Sequence, residues 1–149
     1  MSMPFYYFDT SALVKRYSRE RGTRTVNRLL AKRGMTAILG TVSIPEFYSA
    51  LALKAQQGEL TRDDWYSVLF KFEAESDRGL FHYIAPSART FLTTKQMILD
   101  YPFLRSTQAV QLALVQELKP LRLTMVSSDR QILELCRPFG ITPVNPEDD

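Results

Sequence analysis

Three acidic residues stand where each could contribute to a metal site. Asp9 and Asp129 follow short apolar runs that are typical of buried strands, and Glu46 lies in the first turn of the helix predicted after a third such run. In a parallel sheet, side chains at the carboxyl ends of neighbouring strands lie at the same edge. Converging carboxylates repel one another unless a cation neutralises them, and Mg²⁺ and Mn²⁺ prefer oxygen ligands. If the three strands are neighbours, the pattern predicts a site for a hard divalent ion.

The same residues also have ordinary structural explanations. Asp9 and Asp129 are good helix N-caps, and the sequence from Ser43 to Glu46 matches a capping box. Taken one at a time, capping is the commoner role of such residues. The placement of all three after strands favours a shared site, because capping alone does not require it.

Strand and helix patterns alternate along the chain, and these elements must position the three acids. The strand candidates are not joined by Asn-Gly or Asp-Gly hairpin signals, and the sequence has no glycine-rich phosphate loop. The alternation predicts a mostly parallel sheet with helices on both faces. We predict that Gly34 caps the second helix, that Ser106 or Thr107 caps the sixth, and that the sixth is buried because it is apolar on nearly all sides. The predicted strands cover residues 5–8, 36–39, 81–84, 123–126 and 141–144, and the predicted helices begin near residues 10, 23, 43, 61, 86, 106 and 129.

The composition is that of one ordinary globular domain over residues 1–149. Of the 149 residues, 45% are hydrophobic and 23% are charged, which suits a single core. The only cysteine, Cys136, and the only histidine, His82, exclude an internal disulfide and a zinc site of Cys and His ligands, and they favour a reducing, cytoplasmic setting. Apolar runs stay below the roughly 18 residues of a membrane span, and the first residues lack signal-peptide order. We therefore expect no membrane partner.

Four segments of the sequence resemble the four motifs of PIN domains. They are YFDTSAL at 7–13, SIPEFYSAL at 43–51, LRSTQAVQLA at 104–113 and VSSDRQIL at 126–133. Their order and spacing match as well, and the similarity extends to residues 144–146. Each motif alone is weak, whereas four in order are specific. The sequence is most similar to the compact VapC-type toxin ribonucleases of type II toxin–antitoxin pairs.

The resemblance implies a three-layer α/β/α sandwich around a central, mostly parallel sheet of four to five strands. It also implies a Mg²⁺- or Mn²⁺-dependent endoribonuclease, in which Asp9, Glu46 and Asp129 hold metal and orient a water molecule. A metal ion lowers the pKa of its bound water and neutralises charge that builds up on the phosphate. Ser127 lies where the family often has a hydroxyl that positions the acidic group or the water.

Positive charge is concentrated between residues 15 and 33, which carry eight lysines and arginines against one acid, Glu20, in a chain of net charge +3. The commoner explanation is a solvated helix face. Under the resemblance, the first of these cations instead rim the acidic cleft and hold RNA phosphates, which carboxylates alone would repel. The residues expected to bind substrate share a hydroxyl or a positive charge close to a motif: Thr10, Ser11, Lys15, Arg16, Arg19 and Ser127.

One position departs from the family pattern. Where the third motif normally has an aspartate, this chain has Gln108, a neutral residue whose amide oxygen is a weaker metal ligand. Losing one of four carboxylates should weaken binding of a metal ion, and of a second ion most of all. Gln111 and Asp100 are the candidates to supply a replacement oxygen. Three outcomes stay open: an active enzyme with one metal ion, an enzyme with altered metal preference, or a degenerate domain that binds nucleic acid or protein without cutting.

The resemblance further implies a homodimer and a cognate antitoxin whose peptide covers the cleft. Two other functions compete with the ribonuclease: a small phosphatase or hydrolase that uses Asp9 as its nucleophile, and a structural domain with three ordinary caps. A phosphoaspartyl enzyme usually has a second aspartate two residues later, where this chain has Ser11. The hydrolase alternative is therefore disfavoured.

Overall fold

The alternation of strands and helices predicted from the sequence is present in the computed structural model, which describes residues 3–148. A short 3₁₀ helix at Lys119–Leu121 was not predicted. The strands are β1 (Phe5–Phe8), β2 (Thr36–Gly40), β3 (Phe81–Ile84), β4 (Thr124–Val126) and β5 (Thr142–Val144). The helices are α1 (Thr10–Tyr17), α2 (Thr23–Leu30), α3 (Ser43–Gln56), α4 (Arg62–Asp77), α5 (Ala88–Asp100), α6 (Ser106–Glu117) and α7 (Arg130–Cys136).

The five strands form one parallel sheet in the order β3, β2, β1, β4, β5. The expectation of a mostly parallel sheet of four to five strands is therefore confirmed. β1 lies at the centre, where Tyr7 is in register with Ile38 of β2 and with Met125 of β4. The strands that precede the three acidic residues are thus direct neighbours.

Helices cover both faces of the sheet, because successive residues of the central strand point to opposite faces and both sets are apolar. Tyr6 and Phe8 pack into a core that includes Phe47 and further side chains of α1 to α4. Tyr7 points the other way, into a core that includes Leu112 of α6 and side chains of α5 and α7. This is the expected three-layer sandwich, with α6 buried as predicted. None of the helices in residues 3–148 is both long enough and apolar enough to cross a lipid bilayer.

Two helix ends differ from the sequence prediction. α2 ends at a C-cap on Ala31, and Gly34 instead takes a left-handed conformation (φ 80°) in the turn before β2. The N-cap of α6 is Arg105, not Ser106 or Thr107. α6 starts earlier because a glutamine in its first turn accepts the backbone N–H of Arg105 at 2.8 Å.

Gly40, the last residue of β2, allows close packing between the sheet and α6. A Cβ atom there would lie 2.5 Å from the hydroxyl oxygen of Tyr7 and 2.7 Å from Leu114. The missing side chain leaves room for the Tyr7 hydroxyl, which donates to the amide oxygen of Gln111 on α6. This glycine therefore sets the spacing at the edge where the acids lie.

Candidate functional site

The side chains of three strand-to-helix junctions line one cavity at the carboxyl edge of the sheet. Asp9 follows β1, Asp129 follows β4, and Glu46 projects from the first turn of α3 after β2. The cavity has a volume of about 140 Å³, and nearly all of its lining side chains are polar. The structure thus brings the three acids together. The lining residues are Asp9, Thr10, Ser11, Glu46, Arg105, Thr107, Gln108, Gln111, Asp129 and Ile132.

Asp9 is the most enclosed of the three acids, with 2% of its surface exposed. Its carboxylate caps α1 by accepting the backbone N–H of Ala12 at 3.0 Å, and it accepts the hydroxyls of Ser11 and Ser127 at 2.6 and 2.5 Å. Burial raises the pKa of Asp9 to about 6 against the opposing effect of these hydrogen bonds, and the charge of Asp129 adds to the rise. Asp9 is therefore a helix cap and a candidate metal ligand at the same time.

Ser127 links two of the acids. Its hydroxyl donates to Asp9 and accepts the backbone N–H of Asp129 at 3.0 Å. The residue is fully buried, and its one oxygen atom serves both Asp9 Oδ2 and the backbone N–H of Asp129. This is the contact pattern expected of a residue that positions an acidic group.

Glu46 is held by side chains of two other helices. Thr10 donates to Glu46 Oε1 at 2.8 Å, and Gln111 Nε2 approaches the same oxygen at 3.3 Å. The predicted capping box with Ser43 does not form, because the N-cap of α3 is Val42, which has no side-chain cap, and Ser43 accepts a hydrogen bond from Gln111 at 2.9 Å. The orientation of Glu46 therefore comes from its neighbours and not from its own helix.

Gln108 occupies the position where the resemblance implies an aspartate. Its amide oxygen accepts the backbone N–H of Arg105, and its amide nitrogen donates to Asp129 Oδ2 at 2.8 Å and to Gln131 Oε1 at 2.9 Å. A backbone N–H can only donate, so it determines which end of the amide carries the oxygen. The N–H end of Gln108 consequently faces the acids.

Gln111 lies one turn further along the same side of α6. Its oxygen accepts the Tyr7 hydroxyl, and its nitrogen faces Ser43 and Glu46. Both glutamine oxygens are therefore engaged as hydrogen-bond acceptors, and both amide nitrogens face the acids. Asp100, the other candidate, ends α5 and accepts a hydrogen bond from Gln96 at 3.0 Å; it does not line the cavity.

The acids supply hard oxygen ligands, but they are not assembled around an ion. Among residues 3–148, no three acidic, histidine or cysteine side chains are grouped closely enough to form a ligand set. The N–H groups of Gln108 and Gln111 offset part of the charge that a metal ion would otherwise neutralise. By their chemistry, Asp9, Glu46 and Asp129 offer the oxygen ligands that one hard cation prefers, and binding an ion would require their side chains to draw closer together. This set does not fit a pair of ions, because the fourth position offers a donor in place of an oxygen.

The three predicted cations lie away from the cavity. Lys15 is buried, and its ammonium group pairs with two glutamates at 2.8 and 2.9 Å. Arg16 pairs with Glu75 of α4 at 2.5 Å, and Arg19 is exposed beyond the far end of α1. Of the residues predicted to bind substrate, those with hydroxyls contact the acids and those with positive charge do not.

Arg105 and Gln131 are site residues that the sequence analysis did not assign. The Arg105 guanidinium lies 3.7 Å from Asp129 Oδ2, and 71% of its side chain is exposed at the cavity. A signal for Arg105 was present, because it stands in the third motif, three residues before Gln108, and acids that face a phosphate need a cation nearby. Gln131 had no such signal, because its contact with Gln108 arises only from the packing of α6 against α7.

Several solved structures have the same fold as this chain. FitAcB from Neisseria gonorrhoeae matches with a TM-score of 0.66 and 14% identity, over 97% of this chain and 99% of that one. VapC20 from Mycobacterium tuberculosis, described as a sarcin-ricin loop cleaving toxin, matches at 0.65 and 12%, over 87% and 94%. VapBC2 from Rickettsia felis, bound to a DNA fragment from its promoter, matches at 0.65 and 15%, over 95% and 98%. No protein-family model matches the sequence, and no curated protein is significantly similar to it.

These similarities extend over almost the whole chain, and at 12 to 15% identity they show the fold alone. The same fold is the one that the four sequence motifs predict. The chain therefore has the fold of the VapC-type PIN-domain proteins.

Proposed function

We propose that this protein is an endoribonuclease of the toxin–antitoxin type, which cleaves RNA with one bound Mg²⁺ or Mn²⁺ ion. The observation that carries the proposal is the presence of Asp9, Glu46 and Asp129 in a single polar cavity at the carboxyl edge of the sheet. The description of VapC20 as a sarcin-ricin loop cleaving toxin supports RNA as the substrate class.

Three carboxylates and their hydrogen-bond donors form the proposed machinery. Asp9, Glu46 and Asp129 would hold the ion, which supplies activation of a water molecule and neutralisation of phosphate charge. Ser127 keeps two of these carboxylates in a fixed relation, since its hydroxyl contacts both residues. Thr10 fixes the third by donating to Glu46.

Arg105 is suited to bring the substrate to these acids. Its exposed guanidinium can bind two oxygens of one phosphate, and it stands beside Asp129. Without a cation at the cavity, the three acids would repel the RNA backbone. Arg105 therefore takes the role that the sequence analysis assigned to cations on α1.

A second candidate function is favoured by Gln108. Its N–H group donates a hydrogen bond to the Asp129 carboxylate. This carboxylate therefore has a partner even when no metal ion is bound. A degenerate PIN domain that binds nucleic acid or protein without cutting would have this arrangement.

Cleavage of structured RNA distinguishes the two candidates. We expect the wild-type protein to cleave RNA in Mn²⁺ or Mg²⁺. The cleavage rate of Asp9→Asn should be lower than that of the wild type by at least about 100-fold. Cutting by Gln108→Asp but not by the wild type would establish the degenerate domain. Equal metal-dependent activity in wild type and Asp9→Asn would contradict the site assignment.

A cognate antitoxin and a cytoplasmic site of action belong to the same proposal. We expect growth inhibition when the chain is expressed alone in a bacterial host. Co-expression with the product of a small open reading frame beside its gene should relieve that inhibition. Inhibition that persists with every neighbouring gene product would contradict the toxin–antitoxin assignment.

A further inference from the structure

A second pocket lies between α1 and α2, separate from the acidic cavity. Its volume is about 620 Å³. The end of α1 and the residues after it form one wall, and the first two turns of α2 form the other. The lining residues are Arg16, Tyr17, Arg19, Glu20, Thr23, Arg24 and Asn27.

The negative charges at this pocket already have partners. Glu20 accepts the ammonium groups of Lys15 at 2.8 Å and of Lys54 at 3.1 Å. Glu75, next to the pocket, is paired with Arg16 at 2.5 Å. These acids therefore do not offset further positive charge at the pocket.

Arg19 and Arg24 supply that further charge. Both are exposed, and within residues 3–148 neither one forms a salt bridge. Arg24 lies in the first turn of α2, where the helix dipole disfavours a cation and favours an anion. Helix stability therefore does not explain this arginine, whereas a bound anion would.

α1 connects this pocket to the acidic cavity. Thr10 lines the cavity at the start of the helix, and Tyr17 lines the pocket at its end. Eight helical residues span about 12 Å at 1.5 Å per residue. A nucleic acid strand covers that distance in roughly three to four nucleotides at 3.4 Å per step.

We infer that the α1–α2 pocket is a phosphate subsite, in which Arg19 and Arg24 bind the RNA backbone a few nucleotides from the acidic cavity. The inference rests on the proposed RNA substrate. It changes the expectation from the sequence in two ways: Arg19 keeps its predicted RNA-binding role but at a pocket away from the acidic cavity, and Arg24 joins it, whereas Lys15 and Arg16 are held in ion pairs.

The test compares two double variants that remove the same charge. Arg19→Gln with Arg24→Gln alters the pocket, and Arg89→Gln with Arg137→Gln removes exposed arginines from α5 and from the residue after α7. Binding of a fluorescein-labelled oligouridine is measured by anisotropy in EDTA, so that no cleavage occurs. We expect the pocket variant to bind about tenfold more weakly and the control to stay within about twofold of wild type. The slope of log affinity against log salt should fall by about 1.5 in the pocket variant, at 0.7 to 0.9 per phosphate contact.

A dinucleotide probe separates a distant subsite from a general effect of charge. The dinucleotide UpU is too short to span both places, so it should bind wild type and pocket variant equally. Equal weakening of UpU and oligouridine would overturn the proposal, as would unchanged oligouridine binding in the pocket variant. Loss of oligoglutamate binding with unchanged RNA binding would show that the pocket takes an acidic peptide instead. A wild-type protein that binds oligouridine but does not cut RNA in Mn²⁺ would contradict the proposed nuclease and not this subsite.

Discussion

The amide N–H of Gln108 donates to Asp129. A carboxylate at position 108 would instead place another negative charge beside that of Asp129. This donation stabilises the cavity in the absence of metal, because converging carboxylates otherwise repel one another. An aspartate at this position would remove the donor and add charge, which favours a bound cation. Stability without metal and affinity for metal are therefore opposed at this one residue.

We predict that Gln108→Asp lowers the stability of the metal-free protein by about 1–2 kcal/mol, since it removes a buried donor and adds repulsion. Mn²⁺ should raise the melting temperature of this variant more than that of the wild type, because a bound ligand stabilises the folded state. Differential scanning fluorimetry in EDTA and in Mn²⁺ measures both effects. Gln116→Asp, later on α6, carries the same charge change as a control. Equal responses of the Gln108→Asp variant and the wild type to Mn²⁺ would show that this position does not govern metal binding.

Ser127 gives a second prediction at the scale of a single residue. Ser127→Ala removes the donor to Asp9 Oδ2 and the acceptor of the Asp129 backbone N–H, while Asp9 Oδ1 keeps Ser11 and Ala12. We expect a loss of about 2 kcal/mol in the free energy of unfolding, measured with urea. Ser67→Ala, on the exposed side of α4, should change it by less than about 0.5 kcal/mol. Similar values for the two variants would mean that the Ser127 hydroxyl is not needed to hold the acids.

At the scale of elements, β1 shows why the fold could be predicted. Residues 5–8 are apolar without interruption, which is typical of a strand covered on both faces, and the structure places them at the centre of the sheet. The start of α6 was less predictable. Its N-cap at Arg105 depends on a side chain three residues later, and the residues after it are good caps in their own right.

The candidate site was predictable where it depends on topology, and not where it depends on side-chain orientation. The convergence of acids after neighbouring strands follows from the parallel sheet. The direction of the Gln108 amide is set by Arg105 and Asp129, which lie on opposite sides of it only in the folded chain. The pairing of Lys15 with Glu147, 132 positions away, likewise has no local sequence signal.

Gly40 is the position where β2 and α6 are most sensitive to added volume. Gly40→Ala would place a methyl group 2.5 Å from the Tyr7 hydroxyl oxygen and 2.7 Å from Leu114. We expect a loss of about 2–3 kcal/mol, because a packed core accommodates an extra carbon only by displacing its neighbours. Urea unfolding measures the loss. A variant as stable as the wild type would show that α6 can move away from the sheet at no cost.

The contact between α1 and α4 predicts a dependence on pH. Burial works against ionisation of Glu75, but the hydrogen bonds and charge of Arg16 outweigh it and hold the pKa of Glu75 below its usual range. The stability gained from a lowered pKa is present above the pKa of the unfolded chain and is lost as the pH falls through the pKa of the folded protein.

Glu75→Gln should therefore lower the melting temperature at neutral pH, by an amount equivalent to about 1–2 kcal/mol. The difference from wild type should shrink as the pH falls through the lowered pKa of the native carboxyl, because the protonated group no longer pairs with Arg16. Melting temperatures of both proteins across this pH range provide the test. Glu73→Gln, which is exposed on the same helix, is the matched control. A difference that stays constant with pH would contradict the assigned role of Arg16.

At the scale of the whole molecule, α5 and the loop after it expose an unusual amount of apolar surface. Phe91, Leu92, Leu99 and Phe103 are 53, 71, 63 and 47% exposed. Large exposed apolar side chains grouped on one helix and its following loop are typical of an interface, and a homodimer is the partner that the sequence resemblance implies. We predict a dimer in sedimentation velocity and a monomer for the double variant Leu92→Asp with Leu99→Asp.

The control for the dimer experiment is Leu53→Asp, at an exposed position on α3. This variant should leave the dimer intact. Monomeric wild-type protein at high concentration would contradict the dimer. A dimer that survives both substitutions on α5 would place the interface on another surface.

The position of β1 in the sheet has a consequence for how the protein is made. β1 is the first strand in the chain, but one of its two neighbours is β4, and the hydroxyl that supports Asp9 comes from Ser127, 118 positions later. During translation, the first motif therefore leaves the ribosome long before the residues that complete its surroundings. If the cleft cuts RNA, it does not exist while most of the chain is still being synthesised. The order of strands would thus delay any such cutting until β4 and Ser127 have also left the ribosome.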